Sequence, residues 1–480
     1  MNISDLKPGS RVHLMGICGT AMASLAGLLK ELGFEVTGSE LNPYPPMSTQ
    51  IEQMGIQILK PYSAKNLHQE NSSGNPIRPD FVVVGNVISA NNEEAQELVR
   101  LDIPYTSLPQ AMGDIMIAHR QSIVITGTHG KTTTTSLAAW VATELGLNPG
   151  FLIGGIAKNF SKSFQVPKGN YFIIEGDEYD TAYFDKVPKF LHYKPKHVIL
   201  SSIEFDHADI YKDLDAVKAS FFKLMGLIPK DGTLIYCAED SNVEEVAETC
   251  HAKNKFSYGI SRGHYRAQVL SVTEKSTKFR VSEENIQVGE FETILSGEYN
   301  ILNCTAVIAL AHSQKWNMEK TKAALASFKG VKRRQEILGE PKGVLVIEDF
   351  AHHPTAVRET LKGIREKYKG RKIFAIFEPR SATSRRKVFQ KDYVEAFMQA
   401  DEVLIMKAFD QSKIEETDRF SSEELVHDVF KAGKPAKSFS SVDEIVKSLA
   451  PRVDSGDLVL IMSNGGFDGI YGKLIQAIEA

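Results

Sequence analysis

Cysteine is scarce in this chain. There are four among 480 residues, Cys18, Cys237, Cys250 and Cys304, far apart and with no C-x-x-C pair. That spacing excludes a disulfide framework and a thiolate zinc site. No uninterrupted apolar run approaches the ~18 residues of a membrane helix, so no membrane partner is expected. The opening residues, Met1-Asn-Ile-Ser-Asp-Leu-Lys-Pro, lack the apolar centre of a secretion signal, and the expected compartment is the cytoplasm. Neither sign of charge dominates: 56 Lys and Arg against 60 Asp and Glu leave −4, which gives no cationic footprint for nucleic acid. Internal repeats and low-complexity tails are missing too. A 42% hydrophobic and 24% charged composition is that of an ordinary globular protein. Its length suggests about three domains of ~150 residues.

The most informative stretch is Ser122-Ile-Val-Ile-Thr-Gly-Thr-His-Gly-Lys-Thr-Thr133. Ile123 to Ile125 read as a buried strand. The loop that follows holds Gly127, Gly130, Lys131 and Thr132, and a helical run over 137–145 ends at Gly146. Strand, glycine loop, Lys-Thr and helix form the arrangement that grips a nucleotide triphosphate. Glycines let backbone N–H groups face phosphate oxygens, and the helix N-terminus adds partial positive charge. Lys131 suits the β/γ oxygens and the Thr132 hydroxyl suits Mg²⁺. Two residues separate Gly127 from Gly130 where the usual motif has four, so the strict pattern fails. The competing reading is an ordinary strand–helix turn.

Residues 1–118 alternate strands and helices. Arg11–Met15, Phe34–Thr37 and Phe81–Val84 read as strands, a helix runs to about Leu32, and a polar surface loop spans 66–79. This rhythm predicts a parallel sheet with ligands at the carboxyl ends of its strands. The first loop, Gly16-Ile-Cys18-Gly19-Thr20-Ala-Met22, with Glu40 after the second strand, partly resembles a dinucleotide fingerprint but departs from it at Cys18 and Met22. A nicotinamide cofactor or another nucleotide diphosphate fits this loop, and the former would explain nothing after residue 120. A second domain spans 119–328 and includes a Lys/Ser/Thr/Glu-rich section, 261–298, expected to form antiparallel hairpins. A third spans 329–480, with strands at 344–347, 372–376, 402–405 and 458–461. The expected fold class is α/β throughout.

Acids follow two apolar runs of the middle domain. Tyr171–Ile174 leads into Glu175-Gly-Asp-Glu178-Tyr-Asp180, and Val198-Ile-Leu-Ser-Ser-Ile-Glu-Phe-Asp206-His207 is expected to deliver Asp-His at a strand end. A carboxylate at a buried strand tip beside a phosphate loop is where nucleotide enzymes hold Mg²⁺. The bland alternative for the first is a solvated acidic turn. In the third domain, Asp349-Phe-Ala-His352-His353-Pro354-Thr355 follows a strand, and Glu378-Pro-Arg380-Ser-Ala-Thr-Ser-Arg385-Arg386 supplies guanidinium groups suited to carboxylates. Arg385–Lys387 could equally open a solvated helix.

Six segments occur together and in order: Gly127–Thr133, Glu175–Asp180, Glu204–His207, Gly297-Glu-Tyr-Asn300-Ile-Leu-Asn303, Arg333-Arg334-Gln-Glu336 and Asp349–Thr355. In this the chain resembles the Mur ligases, ATP-dependent amide-forming enzymes of bacterial cell-wall synthesis, over essentially its whole length. The resemblance implies three domains: a Rossmann-like first, a P-loop ATPase-like second and a Rossmann-like third. One branch joins UDP-N-acetylmuramate to the tripeptide L-alanyl-γ-D-glutamyl-meso-diaminopimelate in wall recycling. Gly16–Thr20, Tyr44–Thr49, Glu204–Ile210, Phe377–Ser381 and Met462–Phe467 look like that branch. The branch that adds free L-alanine is the alternative. It typically reads Gly-x-Gly-Gly at the first loop and Gln-Pro-His-Arg in place of Glu378–Ser381.

The resemblance also implies roles. Gly127, Thr128, His129, Gly130, Lys131, Thr132 and Thr133 would hold ATP phosphates. Thr132 and Glu175 would hold one Mg²⁺ and His207 a second. Asn300 and Asn303 would contact adenine, Arg334 a phosphate and Asp349 the ribose region. Gly16, Cys18, Gly19, Thr20, Met22, Ser39 and Glu40 would take the UDP group, and His352 and Arg380 would orient the peptide. Lys131, His207, Asp349, His352 and Arg380 are the candidate catalytic set. Relatives commonly carry Ala at Gly176 and Asn near Ser202, and many have a carbamylated lysine where the run Lys218–Phe222 offers a phenylalanine. The implied reaction proceeds through an acyl phosphate. A non-catalytic sensor of UDP-sugars is the rival from another class, and it leaves Glu175, His207 and the 352–353 pair without a purpose.

Overall fold

The structure is a computed structural model that describes residues 1–43, 47–70 and 76–480, the side chains of residues 70 and 76 excepted. Residues 44–46 of the 44–49 motif and 71–75 of the 66–79 loop lie outside the described residues. The flanks of that loop pair as short antiparallel strands, Gln69 with Ile77, so its ends are more regular than the polar composition suggests. The chain divides into two compact units: residues 1–204, 215–265 and 306–324, and residues 205–214, 266–305 and 325–480. Among the described residues no helix is long and apolar enough to cross a membrane.

The first unit contains two large sheets beside two short antiparallel pairs among the described residues. One has five strands in the order Gln57–Leu59, Glu35–Ser39, Arg11–Met15, Phe81–Val84 and Tyr105–Ser107, parallel throughout. The second strand runs two residues past the expected 37. Gly38 continues it because a Cβ there would sit 2.5 Å from Ile17 Cδ1, so the first loop packs directly on the bare backbone. The Thr20–Glu31 helix buries Met22 to Leu29.

The other sheet of this unit runs Phe164–Gln165, Gly150–Leu152, Tyr171–Gly176, Gln121–Thr126, His197–Leu200, Thr233–Cys237 and Asn254–Gly259. All neighbours are parallel except the first pair. The phosphate-loop strand therefore sits between the strand carrying Glu175 and the strand ending at Leu200. Ile123, Val124, Ile125, Ile173, Ile174, Val198 and Ile199 are all fully buried, as a parallel sheet covered on both faces requires. The helix after the loop spans Lys131–Glu144, starting six residues earlier than the apolar pattern indicates. Its first turns, Thr132 to Ser136, are buried, so packing overrides the weak helix propensity of four threonines.

The second unit has an antiparallel set, Thr277–Glu283 against Ile286–Thr293, within the section expected to form hairpins. It also has a six-stranded sheet ordered Glu336–Gly339, Leu345–Asp349, Leu458–Met462, Ile373–Phe377, Glu402–Met406 and Ala436–Phe439. Only the first pair is antiparallel. Alternate residues of one strand feed two cores: Ile373, Ala375 and Phe377 one, Phe374 and Ile376 the other. The four strands read from sequence are present, and the two edge strands, Glu336–Gly339 and Ala436–Phe439, are the ones its apolar runs did not mark.

Candidate active site

The phosphate loop is built from backbone that only glycine tolerates. Gly127 has φ 126° and Gly130 φ 82°, and a Cβ on Gly127 would lie 2.3 Å from Ser201 Oγ. Ser201 and Ser202, just past the end of the adjacent strand, buttress the loop. Ser201 Oγ donates to His129 O at 2.6 Å, and Ser202 Oγ accepts from His129 N at 3.0 Å. Here the sequence expectation needs correction. The His197–Leu200 strand stops at Leu200, and no strand delivers Asp206 and His207. Ser201 and Ser202 follow the strand and stay bonded to the loop segment, Ser201 N donating to Thr126 O and Ser202 O accepting from Thr128 N, and His207 lies in irregular chain of the second unit with φ 52°.

Lys131 opens the helix and its ammonium is withdrawn from solvent. Nζ donates to Gly127 O at 2.6 Å and pairs with Glu178 Oε2 at 2.9 Å. Burial disfavours its charge, but Glu178 and Asp177 outweigh this and hold the lysine protonated. Thr132 Oγ1 donates to Glu175 Oε2 at 3.1 Å, and Gly154 N donates to Glu175 Oε1 at 2.6 Å. Glu175 lies within the strand, not in an acidic turn. Burial and the neighbouring Asp177 push its carboxyl up to about 7. Among the described residues Glu175 has no ion-pair partner. A buried acid beside a hydroxyl, short of positive charge, is a donor set that fits a divalent cation.

At Gly176, where the resemblance leads one to expect alanine, a Cβ would come within 2.6 Å of Val124 Cγ1. This chain therefore needs the bare glycine. The Lys218–Phe222 run lies in the Leu214–Leu227 helix, where Phe221 is fully buried.

At the first loop, Gly16 has φ 78° and its N–H donates to Ser39 O, while Gly19 caps the Thr20–Glu31 helix. Glu40 accepts from Cys18 N at 3.2 Å, Leu41 N at 2.9 Å and Tyr62 Oη at 3.0 Å. It thus holds its own loop together. Beneath lies a pair that motif reading missed, the fully buried His13 and Glu94, 2.7 Å apart.

In the second unit, Asp206 Oδ1 accepts from Thr383 Oγ1 at 2.5 Å, and His352 Nε2 stands 3.9 Å from Asp206 Oδ2. Burial alone would raise the Asp206 carboxyl; His352, His207 and the Thr383 hydroxyl outweigh it and hold the group well below the usual carboxylate range. His352 Nδ1 faces Phe350 O at 3.0 Å, which assigns the proton to Nδ1. Asp349 is buried and accepts from Gln335 N and Ala351 N, each at 2.8 Å. Arg334 stacks 4.5 Å from the Phe350 ring centre. Asn300 and Asn303 are buried on one helix, Asn303 Nδ2 donating to Asn300 Oδ1 at 3.3 Å. Arg380 lies over Phe409 at 3.9 Å and pairs with Glu378 at 3.2 Å.

The structure thus brings Lys131, Thr132 and Glu175 together in one unit, and Asp206, His352 and Thr383 in the other. Glu178, Ser201 and Ser202 are the additions. Glu178 belongs to the acidic 175–180 segment, where sequence reasoning gave it no role, and two serines after an apolar strand were the available signal for the loop's support.

A glycine loop, a buried lysine and a cation-hungry carboxylate on a parallel sheet define a phosphate-binding α/β nucleotide enzyme. Three family descriptions match in succession: the Mur ligase family catalytic domain over 11–120, the Mur ligase middle domain over 125–311, and the Mur ligase glutamate ligase domain over 333–465. The chain is 38% identical over 471 residues to the UDP-N-acetylmuramate–L-alanyl-γ-D-glutamyl-meso-2,6-diaminoheptandioate ligase of Escherichia coli K12, covering 98% of each. It is 31% identical to the UDP-N-acetylmuramate–L-alanine ligase of Caldanaerobacter subterraneus subsp. tengcongensis, covering 98% of each. The crystal structure of a murein peptide ligase from Psychrobacter arcticus 273-4 superimposes with a TM-score of 0.71 at 34% identity, covering 98% of this chain and 99% of that one. The chain belongs to the Mur ligase family.

Proposed function

We propose that this protein joins UDP-N-acetylmuramate to L-alanyl-γ-D-glutamyl-meso-diaminopimelate, consuming ATP and releasing ADP and phosphate, in the cytoplasm. The observation that carries the substrate choice is the greater identity, over nearly the full length of both chains, to a ligase of that tripeptide than to an alanine ligase. The Phe377–Ser381 segment, with Arg380 held over Phe409, supports it. We read the domains as 1–118, 119–328 and 329–480.

The chemistry follows from leaving groups. A carboxylate cannot acylate an amine at a useful rate because oxide leaves poorly. The lactyl carboxylate therefore attacks the γ-phosphorus of ATP, breaking the γ-phosphoryl bond to ADP and forming an acyl phosphate. The alanyl amine, having lost its ammonium proton, attacks the carbonyl, and phosphate departs with the C–O bonding pair. Both steps develop negative charge on oxygen. Lys131 and the loop amides 127–133 would stabilise that charge because they are already oriented. Lys131 must then exchange part of its hold on Gly127 O and Glu178 for phosphate. A magnesium ion at Thr132 and Glu175 would neutralise charge on the phosphoryl oxygens, and His207 would hold a second ion. Asn300, Asn303, Arg334 and Asp349 are proposed for the nucleoside end, Gly16–Met22 with Ser39 and Glu40 for the UDP group, and His352 and Arg380 for the peptide.

Incubating the protein with ATP, UDP-N-acetylmuramate and either the tripeptide or free L-alanine tests this reading. Phosphate release and a product mass with the tripeptide alone are expected. Turnover with alanine only would replace the reading by the alanine-ligase alternative.

A further inference from the structure

Glu175 and Glu178, which bond Thr132 and Lys131, each stand at the inner end of a segment whose outer end grips residues 1–118, all within the first unit. The arm at Glu175 is a relay of hydrogen bonds. Gly154 N donates to Glu175 Oε1 at 2.6 Å, and its neighbour Ile153 N donates to Ser163 O at 2.8 Å. Ser163 Oγ then meets Ser24 Oγ at 2.8 Å, both residues buried. Ser24 lies on the Thr20–Glu31 helix, which springs from the first glycine loop. One turn further on, a Cβ at Gly27 would come within 2.1 Å of Phe164 Cζ. The ring beside Ser163 therefore rests on bare helix backbone. Glycine is disfavoured inside a helix, and this close approach is what it supplies here.

The arm at Glu178 is a hairpin. Asp180–Ala182 pairs antiparallel with Asp185–Pro188, and Thr181 Oγ1 donates to Val187 O at 2.8 Å. Its base closes where Lys189 Nζ pairs with Asp177 Oδ2 at 3.1 Å. The tip is seated on the first sheet. Tyr183 packs against the core that holds Met15, Val84 and Ile88, and Met15 is the residue before the first glycine loop. Phe184 meets the Tyr105 ring edge-on at 5.0 Å. Asp185 Oδ2 accepts from Ser107 Oγ at 3.4 Å and stands 2.8 Å from His192 Nε2.

We propose that these two arms set the separation between the first glycine loop and the phosphate loop, with Ser24, Gly27, Ser163, Phe164, Tyr183 and Asp185 as positioning residues. This rests on the ligase reading above, in which the first loop holds the UDP-sugar and the second holds ATP. The lactyl carboxylate attacks the γ-phosphorus only when the reacting atoms stand about 3–3.5 Å apart, and a misplacement of about 1 Å can cost roughly a hundredfold in rate. Close-packed contacts pass a shift along instead of absorbing it. A displaced arm therefore moves one substrate against the other while leaving each in its own loop. The loss falls on the chemical step and spares binding.

The test is steady-state kinetics of the full-length protein, with single-turnover ADP formation measured by rapid quench to isolate the chemical step. Tyr183→Ala is expected to lower kcat and the single-turnover rate by about tenfold to a hundredfold, while KM for ATP and for UDP-N-acetylmuramate stays within about threefold. Tyr183→Phe keeps the packed ring and should stay within about twofold of wild type. Should the alanine variant fail to fold, Tyr183→Leu is read by the same criterion. On the other arm, Gly27→Ala should show the same loss. With Phe164→Ala already present the methyl has room, so adding Gly27→Ala should change kcat by less than about twofold. Folded Tyr183 and Gly27 variants with wild-type single-turnover rates, or losses confined to KM for the UDP-sugar, overturn the positioning role and leave the ligase reading standing. A wild-type protein that forms no ADP with UDP-N-acetylmuramate and the tripeptide overturns both.

Discussion

Lys131 Nζ lies 2.9 Å from Glu178 Oε2, and the two side chains are only 13% and 2% exposed. The pair does two things at once: it keeps the ammonium charged at the foot of the phosphate loop, and it neutralises an acid that the strand beside it has buried. Lys131→Ala should reduce ligation and ATP turnover by at least about a thousandfold. It should also cost about 3 kcal/mol of stability, because Glu178 is left buried and uncompensated. The double variant Lys131→Ala with Glu178→Gln separates these effects. Its urea midpoint should return toward wild type while turnover stays lost. Near-normal phosphate release by either variant would falsify the phosphate-loop assignment.

Glu175 gives the protein a pH signature. Its carboxyl moves from an ordinary 4.5 to about 7 because it is buried and faces Asp177. The folded value exceeds the unfolded one, so between those limits the native state holds a proton that the unfolded chain has released. The stabilisation is complete below about pH 4.5 and is lost as pH rises through about 7. Scanning calorimetry from pH 5 to 8 should show this slope in the wild type and a flatter one in Glu175→Gln. Magnesium prefers the ionised acid, so its addition should raise Tm more at pH 8 than at pH 6. Identical slopes in the two proteins would dismiss Glu175 as the titrating group.

How much of this was legible in the sequence varied with how local the physics is. Ile123–Ile125 and Ile373–Ile376 announce themselves because strands buried on both faces need unbroken apolar runs, and both are where expected. Asn254–Gly259 and Ala436–Lys-Ser-Phe439 pair just as regularly but lack such runs. Glycines around Lys131 mark a loop whose φ angles demand them. The identity of what the loop leans on is not local. Ser201 and Ser202 lie some 70 residues along, just past the end of a neighbouring strand that stops short of Asp206. Order of motifs pointed to Asp349, yet its bonds to Gln335 N and Ala351 N needed the folded chain to be seen.

His13 and Glu94 show the same limit and yield a further prediction. One fully buried carboxylate accepts from His13 Nε2 at 2.7 Å, Ser39 Oγ at 2.8 Å, Ser63 N at 3.2 Å and Asn66 Nδ2 at 2.8 Å. It ties the first strand to the two segments that flank the first glycine loop. Glu94→Gln sets an amide nitrogen against donors it cannot accept from, and should cost about 2 kcal/mol. KM for UDP-N-acetylmuramate should rise with it, since Ser39 loses its anchor, while KM for ATP holds. A Glu94→Gln variant with the wild-type urea midpoint would mean that the buried acid is already protonated and the network is not ionic.

Arg380 and Gly465 are coupled sterically. A Cβ on Gly465 would lie 2.2 Å from both Cδ and Nε of Arg380 and 2.8 Å from Cζ. Gly465 does not have a left-handed backbone, so alanine there is opposed by its neighbour alone and not by its own φ. Arg380→Ala should raise KM for the tripeptide far more than KM for ATP. Gly465→Ala should reproduce that pattern by driving the guanidinium off Phe409, where it now sits at 3.9 Å. The double variant then distinguishes displacement from general damage. With Arg380 already shortened, the added methyl has room, so the second substitution should change KM by less than about twofold on that background. Additive losses would show that Gly465 acts elsewhere, through the bond its carbonyl accepts from Arg333 Nη2 at 2.6 Å.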